Sequence, residues 1–254
     1  MKQSLTEQQA MRYARQILLP EMDLDGQEAL LNGHILVIGL GGLGCAASQY
    51  LAGSGVGKMT LVDHDKVELT NLPRQLLHQI DDIGLDKVKS AKTSLQQINP
   101  DLSITTLAVK LNDNELLQLL TDVDLVLDCT DNLASRRQIN RACVTTKTPL
   151  VSAAAIRFEG QITTLPMDDN SPCYQCFSAM MTEQQLSCVE AGVLSPVVGI
   201  MGTMQALEAI KLLTNIGKTL AGSILFFDAK TSGFQSIGLR KQPDCPVCAQ
   251  DVHK

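Results

Sequence analysis

Short apolar runs alternate with longer amphipathic stretches through the first 150 residues. His34-Ile-Leu-Val-Ile-Gly39 is β-branched and apolar at successive positions, which suits a parallel strand buried on both faces. Lys58-Met-Thr-Leu-Val-Asp63, Ser103-Ile-Thr-Thr-Leu-Ala108, Asp124-Leu-Val-Leu-Asp-Cys129 and Pro149-Leu-Val-Ser-Ala153 share that character. Leu43 to Gly53, Lys87 to Ile98, Asp113 to Leu120 and Ala134 to Thr146 read as the helices between them. This alternation predicts an α/β fold built on a Rossmann-like, doubly wound sheet. Ahead of the first strand, residues 7–19 place Met11, Ala14 and Leu18 on one helical face, and Asp25 to Leu31 suits a second short helix.

Beyond Ala154 the pattern changes. Gln161 to Leu165, Ser223 to Asp228 and Phe234 to Leu239 read as strands with no helix between the last two, which predicts an antiparallel continuation of the parallel part. Between them, Pro196 to Leu213 carries Ile200, Met204, Leu207, Ile210 and Leu213 at spacings of three and four, a stripe expected to pack in the core. There is no internal repeat and no linker longer than a loop.

Charge narrows the partners. The 254 residues hold 21 Lys and Arg against 27 Asp and Glu, a net charge of −6 with no basic stripe. Phosphate backbones need clustered cations, so neither nucleic acid nor an anionic membrane surface is an expected partner. No apolar run is expected to reach the roughly 18 to 20 residues that cross a bilayer. Met1 to Gln9 is polar, with no apolar signal stretch, so a cytoplasmic location is expected.

Gly39-Leu-Gly41-Gly42-Leu-Gly44 follows the first strand and opens a helix, the setting in which such a loop cradles phosphates. Glycines let the backbone approach, and the helix N-terminus offers unpaired N–H groups. Asp63 closes the second strand, where a carboxylate can take ribose hydroxyls. The loop alone does not choose between a dinucleotide and ATP. Asn71, Arg74 and Gln75 follow the second strand, Lys87 begins the next helix, and Asp131-Asn132 follow Cys129. Singly, Arg74 and Lys87 would be ordinary surface charges. Together, two cations, a carboxylate able to hold Mg²⁺ and several amides suit a triphosphate better than a nicotinamide ring. Of the four His (His34, His64, His78, His253) only His64 falls beside the glycines, and between Asp63 and Asp65 it reads as a loop residue.

Cys173-Tyr-Gln-Cys176 and Cys245-Pro-Val-Cys248 are two CxxC pairs, the pattern of a closed tetrahedral zinc site that would clip a late segment to the C-terminal part. A thioredoxin-type redox role is the alternative, though two redox pairs in one chain would be unusual. Cys45, Cys129 and Cys143 read as inert core thiols, whereas Cys188 sits in the polar segment 182–192, which suits an exposed thiol and a semi-buried, unreactive loop cysteine equally.

Six motifs in fixed order, with Arg12-Tyr-Ala-Arg15-Gln-Ile-Leu-Leu, the glycine loop, Asn71-Leu-Pro-Arg74-Gln75, Asp128-Cys-Thr-Asp131-Asn132, Cys188-Val-Glu-Ala-Gly-Val193 and both CxxC pairs, resemble the MoeB/ThiF family of ubiquitin-activating-like adenylyltransferases. Gly44 to Leu51, Ala155 to Ile162 and Cys188 to Gly192 look more like the MoeB branch. The resemblance implies ATP-dependent adenylation, with release of pyrophosphate, of the C-terminal glycine of a MoaD-like ubiquitin-fold sulfur carrier ending in Gly-Gly, in molybdenum cofactor biosynthesis. It implies that Arg74 and Lys87 contact the phosphates, that Thr70, Asn71, Gln75 and Asn132 help bind the nucleotide, that Asp63 takes the ribose, and that Asp131 serves Mg²⁺ and the chemical step. Arg15 would reach the triphosphate of a neighbouring subunit, requiring a homodimer. Cys188 matches the sulfur-transfer residue of the ThiF branch, a residue that the MoeB branch does not clearly require, and a separate protein would donate the sulfur. The expected organisation is one domain over 1–254, with helices in 1–32, the nucleotide-binding half in 33–155 and a carrier-binding and zinc half in 156–254.

Pro73 departs from the family, which usually has Gln there; proline removes a donor and should push Leu72 toward an extended conformation. Three other readings remain: adenylation of the thiamine sulfur carrier ThiS, a nicotinamide-dependent oxidoreductase resting on the glycine loop and Asp63 alone, and a noncatalytic carrier-binding scaffold, which would be expected to lack the set Arg74, Lys87 and Asp131.

Overall fold

The computed structural model describes residues 3–179 and 191–249. Helices α1 (Glu7–Arg12), α2 (Ala14–Ile17) and α3 (Asp23–Asn32) precede the sheet. Then β1 (His34–Ile38), α4 (Gly42–Ser54), β2 (Lys58–Val62), α5 (Lys87–Ile98), β3 (Ser103–Leu107), α6 (Asp113–Leu120), β4 (Leu125–Asp128), α7 (Leu133–Thr146) and β5 (Leu150–Ile156) alternate. They are followed by β6 (Glu159–Leu165), α8 (Tyr174–Ser178), α9 (Ser195–Thr214), β7 (Ser223–Asp228) and β8 (Gly233–Gly238).

These strands form one mixed sheet in the order β3-β2-β1-β4-β5-β6-β7-β8. The pairs from β3 to β5 are parallel, and those from β5 to β8 antiparallel. The α/β alternation and the antiparallel continuation are therefore as the hydrophobic pattern predicts. Strand β5 runs three residues past its predicted end because Ile156 pairs with Glu159 at the start of β6. Successive side chains of a strand point to opposite faces, so each buried strand feeds two cores. Ile35, Val37, Leu125 and Leu127 pack on the face covered by α4, α5 and α9, while Leu36 and Val126 pack on the face covered by α6, α7 and α8. Truncating Leu36, which is fully buried, to alanine would cost about 2–5 kcal/mol.

The faces of two helices differ from the sequence reading. In α9 the buried positions are Val197, Val198, Met201, Gly202, Gln205, Ala206, Glu208 and Ala209. Of the expected stripe, Ile200 and Leu207 are exposed, whereas Met204, Ile210 and Leu213 only border the core. Close approach decides this. A Cβ on Gly202 would lie 2.4 Å from the Leu43 carbonyl oxygen of α4, so the small residues, rather than the large ones, define the contact. This helix is also long and apolar enough by composition to cross a bilayer, which corrects the expectation that no such run exists. It serves instead as a core helix, and its buried Gln205 and Glu208 are satisfied by strand and loop groups.

At the N-terminus, the chain bends at Tyr13, between α1 and α2. Met11 and Leu18 lie on the surface, and Tyr13 is the buried residue, its hydroxyl accepting from Asn99 Nδ2 at 3.0 Å. One polar bond of the phenol, invisible to an apolar count, sets the helix orientation.

Candidate active site

The sheet order reverses at β1, with β2 on one side and β4 on the other, so a crevice opens beyond the carboxyl ends of these strands. Its volume is about 520 Å³, a size suited to a cofactor-sized ligand. Gly39, Gly41 and Gly42 come from the turn after β1, Asp63 from the end of β2, Asp131 and Asn132 from the turn after β4, and Asn71, Arg74, Gln75 and Lys87 from the segment leading into α5.

Packing explains the glycines. Gly39 has φ +93°, and a Cβ there would lie 2.8 Å from the Cys129 carbonyl oxygen; a Cβ on Gly44 would meet the Gly39 oxygen at 1.9 Å. Gly44 therefore sits beneath the loop, outside the crevice. A Cβ on Gly41 would meet only Gln75 Nε2, at 3.8 Å, so a side chain there would fill the cradle itself. The Asp63 carboxylate accepts from Leu40 N at 2.6 Å and from Asp65 N at 2.8 Å, tying the glycine loop to the turn after β2.

Lys87 is the first residue of α5, where a cation opposes the helix dipole and asks for an anion nearby. Its Nζ lies 2.8 Å from Asp65 Oδ2, with the lysine side chain 7% and the aspartate 52% exposed. Partial burial raises the Asp65 pKa, but the Lys87 ammonium outweighs it and holds the carboxyl below the usual range. Arg74 Nη1 donates to the Thr70 carbonyl at 2.8 Å, so Thr70 lies behind the guanidinium and does not line the crevice. Asn71 Oδ1 accepts from Glu68 N at 3.1 Å, closing the turn that carries Arg74. Gln75 is buried with Oε1 unpartnered, a polar group left for a ligand.

Leu72 adopts a helical conformation (φ −55°, ψ −38°), not the extended one expected from Pro73. The amides of Arg74 and Gln75 both donate to the Asn71 carbonyl, and this turn needs no donor at position 73. The restriction before proline is a preference that these two bonds override.

Asp128 is buried at the end of β4, accepting from Thr130 N and Oγ1 and from Ser152 Oγ. That turn swings the exposed Asp131 into the crevice, while Asn132 caps α7 through Ser135 N. Sequence reasoning missed Arg136, a crevice residue 6% exposed whose Nη2 donates to the Thr130 carbonyl at 2.6 Å. The signal was available: Arg136 falls in the first turn of α7, on the end of the helix that faces the site. His64 lines the mouth as a loop residue. Arg15 lies on α2 and is not among the residues lining this chain's own crevice. Cys188 lies outside the described residues.

Outside the crevice, the two CxxC pairs meet. Cys173 and Cys245 Sγ are 3.7 Å apart, and Cys176 and Cys248 Sγ 3.5 Å. A disulfide needs about 2.05 Å, whereas tetrahedral zinc with Zn–S near 2.3 Å places sulfurs roughly 3.8 Å apart. All four sulfurs lie within 4.8 Å of one another, so this donor set fits such an ion. Asn140 Nδ2 and the Gln242 amide donate to Cys173 and Cys176 sulfur, the outer-shell support that thiolates favour. Burial pushes the Cys173 and Cys248 thiols up, so their ionisation calls for a cation; in Cys245 burial is outweighed by hydrogen bonds from the Cys248 and Val247 amides. Cys45, Cys129 and Cys143 are buried, as expected of core thiols.

A sheet whose parallel part opens at its switch point on a glycine loop, two cations and carboxylates has the build of a nucleotide-binding α/β protein. The ThiF family model matches residues 13–247, and the chain belongs to the ThiF family. It is 52% identical over 246 residues to the molybdopterin-synthase adenylyltransferase of Escherichia coli K12, covering 97% of this chain and 99% of that one. It is also 48% identical over 238 residues to the ThiS adenylyltransferase of the same organism, covering 94% of each. Among solved structures, E. coli MccB bound to MccA-N7isoAsn superposes with a TM-score of 0.84 at 24% identity, over 94% of this chain and 74% of that one, a likeness of fold.

Proposed function

We propose that the protein adenylates the C-terminal glycine of a small MoaD-like, ubiquitin-fold sulfur carrier in molybdenum cofactor biosynthesis. The observation that carries this reading is the convergence of Arg74, Lys87 and Asp131 around the glycine loop in a single crevice, in a chain 52% identical to a molybdopterin-synthase adenylyltransferase. One carboxylate oxygen of the carrier attacks the α-phosphorus of ATP. The bond from that phosphorus to the α–β bridging oxygen breaks, and pyrophosphate leaves with the electron pair. Two anions must be brought together in line, so the site has to supply fixed positive charge.

In this reading, Arg74 and Lys87 hold the phosphates, Gly39, Gly41, Gly42 and Gly44 shape their cradle, and Asn71, Gln75 and Asn132 orient them. Thr70 supports Arg74 from behind. Asp63 takes the ribose through oxygen lone pairs left over from its two backbone bonds. Lys87 exchanges its bond to Asp65 for one to phosphate. Asp131 would hold Mg²⁺, which supplies charge neutralisation on the triphosphate. The four cysteines Cys173, Cys176, Cys245 and Cys248 would hold a structural Zn²⁺, with no position left for substrate. Residues 33–155 serve the nucleotide, and 156–254 the carrier and the zinc.

A homodimer fits two features. Arg15 lies outside its own crevice, so a triphosphate contact by Arg15 would be made in a second copy, and the exposed Met11 and Leu18 flank it with apolar surface. The sulfur comes from a separate donor protein, with Cys188 the candidate acceptor.

ATP–pyrophosphate exchange with purified protein, Mg²⁺ and either a MoaD-like or a ThiS-like carrier tests the reading. Exchange with the MoaD-like carrier alone supports it. Exchange with the ThiS-like carrier alone moves the protein to thiamine synthesis, a reading supported by the 48% identity to the ThiS adenylyltransferase. Binding of NADH in place of ATP would overturn both.

A further inference from the structure

In the segment Arg12-Tyr13-Ala14-Arg15-Gln16, every long polar side chain but one is tied to the body of the protein. Arg12 Nη2 donates to the Ile98 carbonyl, at the last residue of α5. Gln16 Nε2 donates to the Ser54 carbonyl, at the last residue of α4, at 3.0 Å and to Gln27 Oε1 at 2.9 Å. Gln27, fully buried on α3, donates through Nε2 to the same Ser54 carbonyl at 2.9 Å. Both protons of the Gln16 amide are thus in use, and the carbonyl accepts twice. Asn99 Nδ2 divides its two protons between the Tyr13 hydroxyl at 3.0 Å and the Ala52 carbonyl at 2.9 Å. The last carbonyls of a helix have no partner within it, so these bonds complete the ends of α4 and α5 while pinning α2 against them.

Arg15 is the exception. Tyr13 is buried and Gln16 and Ile17 are half-buried, whereas Ala14, Arg15 and Leu18 are exposed. Arg15 makes no hydrogen bond or ion pair with another described residue. The seat beneath it is close: a Cβ on Gly55 would lie 2.6 Å from Tyr13 Cζ and from Gln27 Nε2. From the Gly42 end of α4, beside the glycine cradle, to the Ser54 end, where α2 is held, is about 18 Å along the helix axis. The anchors therefore hold Arg15 at the end of α4 remote from its own cradle. A helix of four residues has little stability of its own, so the position of its arginine depends on those anchors.

We propose that Gln16 and Tyr13 are positioning residues that act through Arg15, holding it for the triphosphate bound by a second copy of this chain. The proposal rests on the reading of Arg15 as a contact made in a second copy, and it adds two residues whose effect on the reaction is felt in the neighbouring subunit and not in their own.

The readout is ATP–pyrophosphate exchange at saturating Mg-ATP with the carrier that the wild-type protein accepts. Arg15→Ala should lower the rate about 10²-fold, as loss of one donor to developing charge does. Gln16→Leu, which keeps the bulk and removes both bonds, should lower it about tenfold through looser placement of that donor, and Tyr13→Phe, which removes only the hydroxyl, somewhat less. Added to Arg15→Ala, Gln16→Leu should cost at most about twofold more, since no donor is left to position. Mixed dimers separate the subunits. A Gln16→Leu subunit paired with an Asp131→Asn subunit, isolated through two different tags, should exchange at about half the wild-type rate per dimer, because the first keeps its own Asp131 and receives a well-held Arg15. A wild-type subunit paired with one carrying both substitutions should reach no more than about a twentieth.

The opposite pattern in the two mixed dimers places the effect within the subunit and overturns the proposal. So does a wild-type rate in folded Gln16→Leu and Tyr13→Phe while Arg15→Ala is impaired, or a full further loss when Gln16→Leu is added to Arg15→Ala. If Gln16→Leu does not fold, Tyr13→Phe takes its place in both pairings. A wild-type rate in Arg15→Ala, or a monomeric wild-type protein by sedimentation, removes the second-copy reading and this inference with it, and leaves the adenylation reading standing. Wild-type protein with no exchange on either carrier removes all three.

Discussion

The crevice and the cysteine cluster assemble polar side chains in opposite ways. At the crevice the groups keep capacity in reserve: Lys87 is paired with a half-exposed aspartate that a phosphate can replace, Gln75 keeps an unpartnered end, and Asp131 stands exposed. At the cluster, three of four sulfurs come from buried residues, and each faces another sulfur or a protein N–H. An arrangement that must exchange partners stays unfinished, whereas one that holds chain segments together spends all its donors on one another. The two regions should therefore fail differently when perturbed.

The largest effect is expected at Asp131. Asp131→Asn should lower the exchange rate by about 10³-fold or more with Tm nearly unchanged, because in the proposed reading this exposed carboxylate serves the reaction and adds little to packing. A comparable fall in Tm would make Asp131 a structural residue and blur the comparison. Next comes metal removal. Cys245→Ser, or treatment with a strong chelator, should lower Tm by about 10 °C or more, while the fraction still folded keeps its exchange rate. Freshly purified protein with no zinc by elemental analysis would remove the basis for this contrast.

A smaller effect is expected from Lys87→Met, which keeps the length and removes the charge. Affinity for Mg-ATP should fall roughly 10- to 100-fold. Stability should change little, because the lost pair has a solvated partner. The smallest effects are expected at Cys188 and Pro73. Cys188→Ala should leave exchange intact, since adenylation precedes any sulfur transfer. Pro73→Gln should alter ATP affinity by a few-fold at most, because the turn makes no use of an N–H at that position. Turnover at saturating ATP that rises more than about tenfold would show that the proline limits the chemistry.

Legibility in the sequence followed the same divide between local pattern and three-dimensional closure. Helices α5 and α6 and strand β7 start and stop where periodicity placed them, because their ends are set by their own neighbours in the chain. The crevice groups were legible because every strand of a parallel sheet delivers its following turn to the same edge. The buried face of α9 was not, since its apolar residues surround most of the helix and the choice among them fell to the smallest, Gly202, Ala206 and Ala209. Arg136 carried a positional signal, in the first turn of α7 at the end facing the crevice, and no periodic one. The burial of His78 between Leu40 and Ser90, 38 residues before and 12 after it, was not legible either, because only folding creates that relation.

The sheet order also imposes a timetable. Strand β1 is bordered by β2, close in sequence, and by β4, whose approach brings His34 N to Asp124 across 90 residues. Gly39 is seated only when the Cys129 carbonyl arrives behind it. During synthesis at roughly 5–20 residues per second, the glycine loop thus leaves the ribosome about 5 to 18 s before the strand that shapes it. A nascent chain in that interval has its glycine loop and no crevice, and no ligand of the crevice can serve as a template for the first half of the sheet.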